Sequence, residues 1–79
     1  MSHRVVLYTK PDCSLCETAE GLLDRIGHPY ERAWDDRYVL RIPVIEVDGR
    51  VVTEGRVSER ALRRALREPR LFRRRAEVR

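Results

Sequence analysis

Three features of the sequence predict a small α/β domain with a four-stranded mixed sheet flanked by helices. A short apolar run, Val5-Val6-Leu7-Tyr8, lies near the start of the chain. Leu15, Ala19, Leu22, Leu23 and Ile26 then recur at helical period. Farther on, two short β-rich runs are separated by Asp48-Gly49, the strongest two-residue hairpin signal. The predicted order is strand, helix, strand, a short crossover, a β-hairpin and a final helix.

The first strand, around Val5-Val6-Leu7-Tyr8, reads as buried on both faces. Lys10-Pro11 ends it, because proline has no N–H for a ladder and pushes its predecessor to extended geometry. Asp12 or Ser14 can cap the helix that follows, and Ser14 with Glu17 has capping-box spacing. Gly27 fits the position just past its end, and His28-Pro29 prevents continuation. Residues 30–34 read as a second, shorter strand and residues 35–42 as a connection with a turn of helix around residues 37–40.

The third strand spans Val44 to Val47, and residues 50–53 return from the hairpin turn. Gly55 breaks the chain before a helix that starts near Ser58, with Val57 and Leu62 spaced as a hydrophobic staple. Ala61, Leu62, Ala65 and Leu66 form its apolar stripe, and Pro69 stops it. Residues 1–69 are thus the expected domain, and residues 70–79 a flexible basic tail.

The 79 residues suffice for one domain, and a hydrophobic content of 42% supports a small core. The start of the chain is polar, and its first apolar run is too short for a signal-peptide core or a membrane span. A cytoplasmic location is therefore expected, without membrane association. Seventeen basic residues face thirteen acidic ones, and Lys10 is the one basic residue that is not arginine. This bias reads as composition, not as a nucleic-acid footprint. Phe72 is the sole aromatic within the basic tail.

Cys13 and Cys16 are the two cysteines. A bridge between them closes too small a loop to stabilise much chain, so they read as chemistry and not as a staple. In a reducing compartment a close pair is redox-active or metal-binding. Cys13 lies at a predicted helix N-terminus, where unpaired amides and the helix dipole favour a thiolate. Lys10, three residues earlier, adds positive charge for that thiolate or for an anionic substrate. Cys16, one turn in, is shielded and suited to attack a mixed disulfide on Cys13.

Suppose the third strand lies antiparallel beside the first, with the second on its other side. Cys13 and Pro43 then meet at one end of the sheet. The crossover need span only roughly 10 Å, at ~4.8 Å per strand spacing, and residues 35–42 reach ~26 Å when extended.

With that layout the chain resembles the glutaredoxin-like branch of the thioredoxin superfamily. The resemblance rests on Tyr8-Thr9-Lys10-Pro11-Asp12-Cys13-Ser14-Leu15-Cys16, on Arg41-Ile42-Pro43-Val44-Ile45 and on Asp48-Gly49-Arg50. It implies a thioredoxin-like fold and a thiol–disulfide oxidoreductase serving cell redox homeostasis by reducing protein or low-molecular-weight disulfides. Cys13 and Cys16 would be catalytic, with Lys10, Leu15, Ile42 and Pro43 at the substrate. It also implies a cis peptide bond before Pro43, packed against the dithiol. Ser14-Leu15 stands where many glutaredoxins have Pro-Tyr, and Glu54-Gly55-Arg56 where many have Gly-Gly-Asp. Those elements help hold glutathione in the family. The electron donor is thus left between glutathione and a reductase, with no bound cofactor expected and a monomer as the working state.

Two rival functions use the same cysteines: a redox sensor or binding module without turnover, and a dimeric metal or iron–sulfur carrier. One Cys-x-x-Cys supplies two of the four ligands structural zinc takes, and His3 and His28 fall at the far end from it, so no metal site is expected within one chain. Trp34 reads as core or strand-end packing and Asp35-Asp36 as a solvated turn. Deleting residues 70–79 is expected to leave the melting temperature and thiol reactivity almost unchanged. A large fall in melting temperature would mean that Leu71 and Phe72 dock on the core.

Overall fold

The computed structural model of the chain describes residues 3–67. The tail at 70–79 and the helix stop at Pro69 lie outside the described residues. The elements run β1 (Val5–Tyr8), α1 (Ser14–Ile26), β2 (Glu31–Ala33), a 3-10 turn (Asp36–Tyr38), β3 (Val44–Val47), β4 (Arg50–Glu54) and α2 (Glu59–Arg67). The sheet order is β2-β1-β3-β4, with β1 parallel to β2 and the other two pairs antiparallel. This is a four-stranded mixed sheet with two helices, consistent with a thioredoxin-like fold.

The core lies on one face of the sheet. Val5 pairs with Val47 and Leu7 with Ile45, so these four side chains project together. They join Ala19, Leu22 and Leu23 of α1 and Leu62 and Ala65 of α2 in one buried cluster. Both helices therefore cover the same face. On the other face, among the described residues, the buried Tyr38 of the 3-10 turn packs edge to face against Tyr8.

Local chemistry sets the boundaries. Gly27 ends α1 at φ 84°, and its N–H donates to the Leu23 carbonyl at 3.0 Å. That left-handed cap favours glycine, which has no Cβ to clash. Asp48 and Gly49 both have positive φ, as a two-residue hairpin turn of this hand requires. The Ser58 hydroxyl accepts from the Ala61 N–H at 3.1 Å and caps α2. Within α2, Leu62 and Ala65 are buried, and Ala61 and Leu66 are half-buried.

Two expectations are corrected and a third is narrowed. Leu15 does not belong to the buried stripe of α1: it is 45% exposed, and Cys16 (2%) takes the inward position in the first turn. The second strand is shorter than residues 30–34, because an edge strand pairs on one side only and the chain turns after Ala33. Of the core and strand-end positions expected for Trp34, the core is not the one it takes, and it stands one residue past the end of β2. It is 53% exposed, and its indole N–H donates to Asp36 Oδ1 at 2.9 Å.

Truncating a core side chain should be costly and truncating a loop one should not. Leu23→Ala, at a fully buried site, is expected to lose about 2–5 kcal/mol. Leu40→Ala, at a 94% exposed site, should stay within about 0.5 kcal/mol of the parent. Urea denaturation of both variants checks this.

Candidate functional site

The site forms at the end of the sheet where β1 and β2 finish and β3 begins, as the parallel and antiparallel pairings dictate. The loop leaving β1 is tied to β2 by the Thr9 N–H, which donates to the Ala33 carbonyl at 3.0 Å. Lys10 is exposed, and Asp12 adopts φ 55°. That left-handed turn swings the chain into α1.

Cys13 is the N-cap of α1, with extended dihedrals of −124° and 107°. Its sulfur accepts the Cys16 N–H at 3.2 Å, and its carbonyl accepts the Glu17 N–H at 3.1 Å. Neither Asp12 nor Ser14 caps the helix, contrary to expectation. Asp12 is left-handed, whereas an N-cap takes extended geometry, and Ser14 is already the first helical residue. The sulfur occupies the place that an oxygen usually fills, so an amide of the first turn already points at it.

The two sulfurs are joined as a disulfide. Cys16 is 2% exposed, while Cys13 is only half-buried. Any partner reaching the pair from solvent meets Cys13 first.

The segment entering β3 lies at this same end of the sheet. The Ile42–Pro43 peptide bond is cis, Pro43 is buried and Ile42 half-buried. The Gly55 N–H is shared between the Arg41 carbonyl at 3.2 Å and the Pro43 carbonyl at 2.8 Å. Among the described residues, the N–H and C=O of Ile42 itself have no hydrogen-bond partner. The fold thus brings Cys13, Leu15 and the 42–43 step to one end of the sheet, with the exposed Lys10 in the loop between β1 and α1.

The histidines are elsewhere. His3 precedes β1, and its Nδ1 contacts the Asp48 carboxylate at the hairpin turn, at the far end of the sheet. His28 lies two residues beyond the end of α1, after the Gly27 cap. Among the described residues, no three or more His, Cys, Asp or Glu side chains are grouped to hold a metal. Asp35, placed in a solvated turn by sequence, caps the 3-10 turn and accepts from the Arg37 N–H and its guanidinium at 2.7–3.1 Å.

Sequence reasoning does not single out Tyr8, Tyr38 and Glu46, which meet on the face of the sheet away from the described helices. The available signal is one carboxylate inside an otherwise apolar strand, Val44-Ile45-Glu46-Val47.

Fold and site together define a thioredoxin-like domain with a cysteine pair at a strand-to-helix junction. The chain belongs to the glutaredoxin-like domain family (DUF836), whose family model matches residues 4–67 and so takes in both cysteines and Pro43. No curated protein matches the chain. Among the described residues, no helix is long and apolar enough to cross a membrane.

The difference in burial predicts an order of modification. In the reduced protein, iodoacetamide should alkylate Cys13 well before Cys16, as peptide mapping at short times would show. Equal labelling would mean that the first turn of α1 opens freely.

Proposed function

We propose that the chain is a thiol–disulfide oxidoreductase in which Cys13 attacks and Cys16 resolves. The observation that carries this reading is the cysteine pair at disulfide distance on the first turn of α1, with one sulfur accessible and the other buried. The Cys16 amide aimed at the Cys13 sulfur supports a thiolate there, as do the helix dipole and the nearby charge of Lys10.

The Cys13 thiolate attacks one sulfur of a substrate disulfide. A mixed disulfide forms, and the other substrate sulfur leaves as a thiolate that takes up a proton. Cys16, deprotonated, then attacks the Cys13 sulfur, forms the Cys13–Cys16 bond and releases the second substrate thiol. Two electrons pass from the protein dithiol to the substrate. Glutathione or a protein reductase returns them from outside the domain, and no bound cofactor takes part.

The unpaired backbone of Ile42 suits pairing with an extended peptide that carries the disulfide. Leu15 and Pro43 would flank it, and Lys10 would favour an anionic group nearby. The substrates are protein or small-molecule disulfides, and the setting is the reducing cytoplasm, where such a dithiol serves redox homeostasis.

Cys13→Ser should abolish disulfide reduction. Cys16→Ser should accumulate a mixed disulfide on Cys13, visible by mass spectrometry, because nothing resolves it internally. An adduct trapped on Cys16 of the Cys13→Ser variant, with none on Cys13 of the other, would reverse the roles. Reversible oxidation without any turnover would point to a sensor.

A further inference from the structure

Glu46 is the one carboxylate of β3, and it lies on the face away from the helices. Both of its oxygens are engaged. The Tyr38 hydroxyl donates to Oε2 at 2.6 Å and the Tyr8 hydroxyl to Oε1 at 3.2 Å. The two rings meet edge to face, 4.8 Å between centroids. The hydrogen bond to Glu46 pushes the Tyr38 hydroxyl up from the usual phenol range. Burial, then Glu46, does the same for Tyr8. Both phenols therefore remain donors at neutral pH.

Tyr38 is also the root of the segment that enters β3. The Arg41 N–H donates to the Tyr38 carbonyl at 2.8 Å, and the Arg41 guanidinium lies 5.0 Å from the Tyr38 ring centroid while pairing with Glu54. From the other side, Gly55 holds the carbonyls of Arg41 and Pro43. Ile42 is suspended between these anchors with its own N–H and C=O unpaired. The crossover has only one short 3-10 turn of its own, so its aim depends on what Tyr38 grips.

We propose that Tyr38 and Glu46 are positioning residues that latch the crossover to the sheet and so aim the Ile42 backbone at an extended peptide disulfide. The latch sets preference between substrates: a disulfide with a peptide backbone uses Ile42, and a small one without a backbone does not. This rests on the oxidoreductase reading above.

The test is single-turnover reduction by the pre-reduced full chain of two probes, a disulfide-bridged linear peptide and bis(2-hydroxyethyl) disulfide. Tyr38→Phe and Glu46→Gln should slow the peptide reaction about tenfold, the equivalent of one or two backbone hydrogen bonds. They should leave the small disulfide within about twofold, since its reaction needs only the dithiol. Amide exchange at Arg41, whose N–H the Tyr38 carbonyl holds, should quicken in both variants. An equal loss on both probes, an unchanged peptide rate, or exchange at the parent level would overturn the latch. If the parent chain reduces neither probe, the oxidoreductase reading itself fails and the latch with it.

Discussion

The antiparallel pairing of β1 with β3 is the constraint on which the rest of the structure depends. Val5 faces Val47 and Leu7 faces Ile45, all four against the helices. A slip of one residue would turn every one of these side chains to the other face. The hairpin end secures the same register by different means. The Arg4 N–H donates to the Asp48 carboxylate at 3.0 Å, the Asp48 N–H returns to the Arg4 carbonyl at 2.8 Å, and His3 holds the same carboxylate. Pinned at that end, the pairing delivers the last residue of β1 opposite the first of β3, and so sets Cys13 and Pro43 at one end of the sheet.

The two faces of the sheet are built by different physics. One buries aliphatic side chains under α1 and α2, with no direction to the interaction beyond shape. On the other, among the described residues, an aromatic side chain of a short crossover is fixed to the sheet by two tyrosine hydroxyls on one carboxylate. A helix-sized apolar contact is not needed where hydrogen bonds to a charged group, individually stronger than neutral ones, hold the chain at a point. A small domain can thereby shorten its crossover without leaving it unanchored.

At the dithiol, structure and chemistry share atoms. Cys13 must be extended to start the helix, and that conformation turns its sulfur toward the first-turn amides. One turn later Cys16 falls on the buried side, beside the stripe that continues through Ala19, Leu22 and Leu23. The asymmetry between an accessible and a shielded sulfur is therefore a consequence of helical period, with no extra device needed.

Much of this was legible in the residues. The helix period of α1, the Gly27 stop and the Asp48-Gly49 turn are local properties, and they appear where short-range chemistry demands them. The Val44–Val47 strand and the Cys-x-x-Cys at a strand-to-helix junction were readable for the same reason. Helix capping is not legible in the residues, because oxygen-bearing Asp12 and Ser14 are the stronger local candidates and only the tight turn at Asp12 hands the position to a sulfur. The exposure of Leu15 and Trp34 escaped the pattern as well. Period and size say which side chains can be buried, and the extent of the sheet says which find something to be buried against. Sequence by itself determined the elements, their order and the cysteine pair at the strand-to-helix junction. The tertiary structure alone decided that Tyr8, Tyr38 and Glu46 meet, since they come from β1, the crossover and β3 and no local rule relates them.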